Sequence, residues 1–314
     1  MSRRTIPVAA ALALTSALLV GCTSGSGGQS TSGGGSPGGQ AAGTGAAGAP
    51  AVTATPTPTA ASDLTALPLR AFVPSDDEAK TLDKAEGLLA QDCMHRLGFG
   101  GWQPPSTGPT AKPADVANQY GYLDEAQAAQ YGFRSAAGVK GKPADGPKLD
   151  PAQFTAETGA TSVTDSKQVG GNVPDGGCFG EAGRKIDEGL TKPTGSVYED
   201  LMSESYQRTD VDPRVVAGTK AWADCMKQKG YSYSSPQALS TESWGATVTQ
   251  REIDTAKADV ACTKQTNLPG IAFGVQSAIQ QQQIAQHQQQ LKAQRDFVDA
   301  RLRKAADVLK SRGQ

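Results

Sequence analysis

The sequence predicts a mainly α-helical protein: two disulfide-pinned helical units with long irregular loops, a disordered N-terminal tether and a long C-terminal helix. Three observations carry this. Asp92-Cys93-Met94-His95-Arg96-Leu97-Gly98-Phe99 returns as Asp224-Cys225-Met226-Lys227-Gln228-Lys229-Gly230-Tyr231, so Asp-Cys-Met, three residues, glycine and an aromatic occur twice. A single later cysteine follows each copy, Cys178 and then Cys262. Apolar residues recur at helical spacing behind readable start signals.

Composition limits how much of the 314 residues can be core. Glycine (37) and proline (19) are abundant, aromatics make up 5% and hydrophobic residues 37%, which suggests a small folded part carrying a long disordered one. The net charge of −1 gives no reason to expect a nucleic-acid partner.

Arg3 and Arg4 precede an apolar run from Val8 to Val20, too short to span a bilayer as a stable helix, so residues 1–21 read as a signal peptide. The run closes on Leu19-Val20-Gly21-Cys22, which resembles a bacterial lipobox. Such a signal places acyl chains on Cys22, each contributing about 0.8 kcal/mol per buried methylene, and makes the lipid bilayer the first expected partner. Arg3-Arg4 also gives a faint likeness to a twin-arginine export signal.

Export implies an oxidising compartment, where the four remaining cysteines form two bridges. Three pairings exist; Cys93–Cys178 with Cys225–Cys262 is the expected one because it closes a bridge within each repeat. No CxxC pair occurs and the histidines are His95 and His287 alone, so no metal site and no cofactor are expected.

After Cys22, residues 23–62 are Gly, Ser, Thr, Ala, Gln and Pro apart from Val52, a tether whose span is roughly 35 Å in the flexible regime and about 130 Å fully extended. Its Gly43-Thr44-Gly45-Ala46-Ala47-Gly48 matches a dinucleotide fingerprint only by chance, with no strand before it and no amphipathic helix after it.

The first unit, 63–195, opens at Ser75 with Glu78 three residues on, a capping box. Leu82, Ala85, Leu89, Cys93 and Leu97 then share one helical face. Gly98 suits a left-handed cap, with Phe99 packing back over Met94; Gly230 and Tyr231 over Met226 repeat the arrangement. Tyr120-Gly121-Tyr122 and Tyr131-Gly132-Phe133 bracket a short Ala-rich helix. A mobile insertion is expected over about 135–177, apart from a turn of helix after Asp150-Pro151; a helix through Ile186 and Leu190 follows.

The second unit, 196–270, starts with Ser196 and Glu199 before Tyr198, Leu201, Met202 and Ser205. Asp212-Pro213 opens the second motif helix, with Val215, Thr219, Trp222 and Met226 as its stripe. Thr249 and Glu252 start a helix carrying Ile253, Ala256, Val260 and Cys262. From 271 to 314 one long glutamine-rich helical arm, with coiled-coil character, is expected. Its stripe is Ile284, Leu291, Val298, Leu302, Ala305 and Leu309, and seven Lys or Arg face three Asp between Lys292 and Arg312. An envelope protein or an anionic wall polymer is the partner such an arm would take, against the plainer reading of a helix packed on the body.

Chemistry is thinly marked. Neither histidine has a nucleophile motif around it, so a catalytic triad is not expected and no catalytic residue is assigned. Glu181, close to Cys178, is the first carboxylate to inspect for acid–base work. Trp102, Tyr233 and Trp244 follow the motif helices in loops and are the candidate binding aromatics; the plainer role is to close the core over the bridges.

Taken together, the lipobox at Cys22, the tether and the two Cys-Met-x-x-x-Gly-aromatic motifs resemble secreted lipoproteins of actinobacteria. The resemblance covers the signal and both motifs and transfers no catalytic residue. The leading expectation is a lipid-anchored protein on the extracytoplasmic face of the cell membrane with a non-enzymatic binding or sensing role. The alternatives are a carboxylate-dependent hydrolase of wall glycan or peptide, and an accessory subunit of an envelope transport or signalling system.

Overall fold

A computed structural model describes residues 50–64, 67–105, 119–134, 150–162, 165–168, 172–195 and 197–314. The signal, Cys22, the tether up to residue 49, Ser196 and the first part of the expected insertion lie outside the described residues. The described residues belong to one compact unit, Ala47–Gln314.

The fold is mainly helical. Two 3₁₀ turns, Ala61–Leu64 and Pro68–Phe72, precede α1 (Asp76–Arg96), α2 (Glu125–Tyr131) and α3 (Pro151–Thr158). A small antiparallel hairpin follows, Ala160–Ser162 with Asp165–Gln168. Then come α4 (Gly177–Asp187), α5 (Val197–Asp210), α6 (Pro213–Gln228), α7 (Pro236–Ser240), α8 (Gln250–Thr266), α9 (Leu268–Gln286) and α10 (Gln288–Ser311). Among the described residues no helix is long and apolar enough to cross a membrane.

Both motif helices end as their residues dictate. The Phe99 N–H donates to Met94 O at 2.9 Å and the Gly98 N–H to His95 O at 3.1 Å; Tyr231 to Met226 O (3.0 Å) and Gly230 to Lys227 O (3.0 Å) repeat the pair. This is a Schellman termination, and it needs a residue at positive φ: Gly98 has φ 96° and Gly230 φ 91°. At the other end of α1, Ser75 Oγ accepts from the Glu78 N–H while Glu78 accepts from the Ser75 N–H at 2.8 Å. Met94 and Met226 are both fully buried, with Phe99 and Tyr231 packed on their clusters.

The bridges are Cys93–Cys178 and Cys225–Cys262, each with its Cα atoms within 6 Å (5.5 and 5.7 Å). Cys93–Cys178 joins α1 to α4 inside a cluster with Ala90, Trp102, Ala156 and Ala182. Cys225–Cys262 joins α6 to α8 in the main core, beside Trp222, Met226, Leu268 and Ile279.

The structure corrects four boundaries. Residues 50–62, expected to belong to the tether, lie as an extended strap on the body: Asn267 Nδ2 donates to Pro56 O at 2.9 Å and Arg214 Nη1 to Pro50 O at 3.3 Å. Within the expected insertion, the turn of helix expected after Asp150-Pro151 is present and longer, forming α3 over Pro151–Thr158, capped by Asp150 and burying Ala156 against the first bridge, so the insertion is ordered there. The units 63–195 and 196–270 are not separate bodies, because α2 packs on α8 through Ala128, Ala256 and Val260. The single arm expected over 271–314 is two helices broken at His287 (φ −117°, ψ 25°).

Neither helix is free. α9 is central, giving Leu268, Ala272, Val275 and Ile279 to the main core and Gln276, Gln280 and Gln283 to α5. α10 runs parallel to α1, as the ordered ion pairs Arg295–Glu78, Arg301–Glu86 and Arg312–Asp92 require. Its stripe is the expected one: Leu291, Val298 and Ala305 are buried, and Leu302 and Leu309 are packed beside Leu82, Ala85 and Ile186. Three of the seven basic residues between Lys292 and Arg312 thus pair with the body, Lys292 pairs with Asp296 within the helix, and Arg303, Lys304 and Lys310 are exposed.

Candidate functional site: an aromatic cleft with an internally neutralised ion pair

Two segments far apart in sequence meet to form the site. The chain 119–134 reaches α8 through α2, and the loop after α7 folds over it. Between them is a cleft of about 440 Å³ lined by Tyr122, Phe133, Arg134, Leu239, Trp244 and Glu252, with Ser240 and Gly245. Its volume falls in the range of small-molecule sites.

The polar floor is an ion pair. Arg134 Nε stands 3.1 Å from both oxygens of Glu252, whose side chain is wholly buried. Nη1 of the same guanidinium donates to Ala246 O (3.1 Å), and Nη2 to Trp244 O (3.0 Å), Gly245 O (3.0 Å) and Thr247 O (3.3 Å). The planar cation is thus turned toward one carboxylate and four loop carbonyls. The pair organises the loop and leaves the cleft without net charge of its own.

The walls are rings. Phe133 and Trp244 stack with centroids 5.4 Å apart at 29°, Tyr122 leans on Phe133 at 5.8 Å, and Arg251 lies 5.7 Å from the Trp244 centroid. Arg251 also pairs with Glu242 at 3.3 Å. The Tyr233 hydroxyl sits beside these two charges and its pKa is raised, first by burial and then by Glu242, with Arg251 opposing.

Behind the wall stands Asp259, which is 3% exposed. It accepts from Trp222 Nε1 at 2.9 Å, from Thr263 Oγ1 at 3.0 Å and from the Tyr122 backbone N–H, which pins the Tyr122 segment to α8. Burial pushes its carboxyl up to about 6, and these three hydrogen bonds hold it from rising further.

Of the three aromatics singled out in the sequence, Tyr233 and Trp244 converge on Arg251, and Trp102 does not join them. Trp102 is 7% exposed and closes the first bridge cluster; its Nε1 donates to Glu157 at 2.6 Å and its ring meets Phe179 edge-on. Its large apolar area closes the core beside a buried disulfide, and its edge lines a separate, open cavity with Phe99, Gly101, Gln103 and Gln153. Glu181 is also committed elsewhere: hydrogen bonds from Lys185 and then Arg96 hold its carboxyl below the usual range, the opposite of what a general acid needs. Among the described residues no cluster of three or more His, Cys, Asp or Glu is placed to hold a metal ion.

No protein-family model matches the chain, and none of the curated proteins or solved structures compared with it does either. The cleft therefore has to be judged on its own geometry. Sequence reasoning missed Arg134 and Glu252. Glu252 sits where a capping box expects it, and Thr249 Oγ1 does accept from its N–H at 3.2 Å, but its carboxylate turns inward instead of back to Thr249. The available signal was Arg134 directly following the Tyr131-Gly132-Phe133 echo, a lone charge after an aromatic pair.

Proposed function

We propose that this protein is a non-catalytic binding protein, held by an acylated Cys22 on the extracytoplasmic face of a bacterial cell membrane, and that the cleft at Trp244 is its ligand site. The sequence supports the anchor through its signal and lipobox, and the likeness to actinobacterial secreted lipoproteins supports the cell envelope as the setting. The observation that carries the binding reading is the Arg134 network. With the guanidinium spent on Glu252 and four carbonyls, the cleft offers rings and backbone rather than a reactive group. Such a site suits an uncharged ligand that stacks on aromatic faces, the chemistry of a sugar ring or an apolar peptide side chain.

A hydrolase would need a second carboxylate beside Glu252 and one of the two free to carry a proton. Asp259 has the raised pKa but is engaged by Trp222, Thr263 and Tyr122, and Glu252 is clasped by Arg134. An accessory-subunit role through the C-terminal arm has less to stand on, since the apolar face of α10 is covered by α1.

Fluorescence tests the cleft. Trp102 and Trp222 are buried, so ligand-induced changes in tryptophan emission report Trp244. Titration with neutral oligosaccharides and short wall peptides is expected to shift the emission for one of the two classes, and Trp244→Ala is expected to abolish the response. If neither class moves it, the cleft is not the binding site. For the anchor, Cys22→Ala is expected to move the protein from the membrane to the soluble fraction; persistence in the membrane would refute acylation.

A further inference from the structure

We propose that the strap over residues 52–59 is an O-glycosylation site, with the hydroxyls of Thr53, Thr55 and Thr57 as acceptors of neutral hexoses. The proposal rests on the export reading above, because the modifying enzyme must meet the chain outside the cytoplasm.

The strap reads Val52-Thr53-Ala54-Thr55-Pro56-Thr57-Pro58-Thr59, and its two faces differ. Val52 and Pro56 are half-buried and Pro58 is buried, whereas Thr53, Thr55, Thr57 and Thr59 are all exposed; Ala54, on the inner side, is exposed too but turns its carbonyl toward Gly274. This is the period-two alternation of an extended chain laid on a surface. It places successive threonines on the outer side, about 6.5 Å apart at 3.3 Å per residue. Alternating threonine and proline is also the compositional mark of O-glycosylated stalks.

The body is built to receive this segment. A Cβ at Gly270 would fall 1.9 Å from Pro56 O, and one at Gly274 would fall 2.6 Å from Ala54 O, so any larger residue on this face of α9 would push the strap away. Asn267 Nδ2 and the Arg214 guanidinium grip the strap carbonyls of Pro56 and Pro50. Because the strap is held by its backbone and inner side chains, the threonine hydroxyls stay available without unfolding. Pro56 and Pro58 lack an N–H and have fixed φ, which keeps the segment extended and out of sheet pairing, so its outer threonines face a modifying enzyme side-on.

The hydroxyls are not equivalent. Thr59 Oγ1 donates to Asp63 Oδ2 at 3.1 Å and is already in use. Those of Thr53, Thr55 and Thr57 make no hydrogen bond among the described residues. Thr57 also rims a cavity of about 290 Å³ shared with Leu123, Thr263, Lys264 and Asn267, which gives a first sugar room and polar neighbours.

In the transfer, a threonine Oγ attacks the anomeric carbon of an activated donor of the glycosyl phosphate class. A new C–O bond forms as the bond from that carbon to the phosphate oxygen breaks. The electron pair leaves with the phosphate, the hydroxyl proton goes to a base of the transferase, and nothing is oxidised or reduced.

Mass spectrometry of the full chain, purified from membrane and soluble fractions of cells that make it naturally, tests the site. Trypsin yields the peptide from Cys22 to Arg70 in one piece, since no Lys or Arg intervenes. Beyond the acyl groups carried by Cys22 in the membrane fraction, its mass is expected to exceed the calculated value by whole anhydrohexose units, and electron-transfer fragmentation is expected to place them on Thr53, Thr55 or Thr57. Replacing all three by Ala should remove those units while leaving the circular dichroism and urea midpoint unchanged. Bare hydroxyls at the three positions, or sugars only on threonines before Pro50, would overturn the proposal in whichever fraction the protein is found. The fraction itself judges the anchor separately.

Discussion

Replacing Asp259 by Asn should change how the stability of this protein responds to pH. In the folded chain the carboxyl is buried against Trp222 and its pKa lies near 6, while an unfolded aspartate titrates near 3.9. A folded pKa above the unfolded one means that the native state binds the proton more tightly. The resulting stability is fully present below about pH 3.9 and is lost as pH rises through about 6. With roughly two pK units at about 1.4 kcal/mol each, the ionised carboxylate makes the fold about 3 kcal/mol less stable at neutral pH than the acid form would. Asparagine keeps an oxygen for the Trp222 N–H and the Thr263 hydroxyl but cannot ionise. Its amide N–H₂ adds a cost that does not vary with pH.

The assay is urea unfolding followed by circular dichroism, on the Cys22→Ser chain with and without Asp259→Asn, from pH 4.5 to 8. The difference in unfolding free energy is expected to be flat above about pH 6.5 and to grow in favour of the aspartate protein by about 1.4 kcal/mol per pH unit below 6. Glu86, whose carboxyl is also raised by burial, contributes equally to both proteins and cancels. The lowered groups act in the opposite sense and further down: Glu78, drawn to about 2 by Arg295 and the Ser75 N–H, supplies stability that is lost only as pH falls below the unfolded value. Parallel profiles for the two proteins across the window would refute the argument and show that Asp259 is ionised throughout.

Three further outcomes follow from the same contacts. Replacing Cys225 and Cys262 together by Ala should cost about 4 kcal/mol of unfolding free energy, and the Cys93–Cys178 pair, with 85 residues between its ends rather than 37, about 4.5 kcal/mol; losses below about 1.5 kcal/mol in urea titrations of both would show that loop closure is not what the bridges contribute. Gly270→Ala should eject the strap, read as faster thermolysin cleavage between Pro50 and Leu64 with an unchanged helical signal; equal cleavage rates would mean that α9 yields instead. Arg301→Met should strand Glu86 and Asp187 and lower stability by about 2 kcal/mol, an effect that Glu86→Gln in the same chain should partly restore; no loss would show that these half-buried pairs contribute as little as surface ones.

Local features were the legible ones. Ser75, Asp212, Gly98 and Gly230 act within a few residues of themselves, so the helix ends they set can be read from neighbours alone. The two bridges follow from the repeat, because duplication pairs each motif cysteine with the next one along. What failed was the step from composition to exposure at residues 50–62. Residues 50–62 look like tether because they carry no charge until Asp63 and few large side chains, yet two glycines on α9 create a groove into which that thin, proline-stiffened chain fits.

The glutamines of α9 show the same limit most clearly. Gln276, Gln280 and Gln283 recur at helical spacing outside the apolar stripe legible in the sequence, and amides are rarely buried. Here α5 answers them with the Ser205 hydroxyl, which meets Gln276 and Gln280 at 3.3 and 3.2 Å, and with Leu201 O, which meets Gln283 at 3.2 Å; Gln280 in turn accepts the Leu69 N–H at 3.0 Å. Each bond satisfies a group that would otherwise cost about 1–3 kcal/mol to bury, although Gln276 Oε1 and Gln283 Oε1 stay buried with no partner among the described residues. The partner of a buried amide can lie anywhere in the chain, and here it is more than seventy residues away. The cleft is hidden for the same reason. Arg134 and Glu252 are 118 residues apart, and each looks ordinary until the fold lets one neutralise the other. A site made by cancelling its own charge leaves no cluster in the sequence, only a lone arginine after an aromatic echo and a glutamate at an unremarkable helix start.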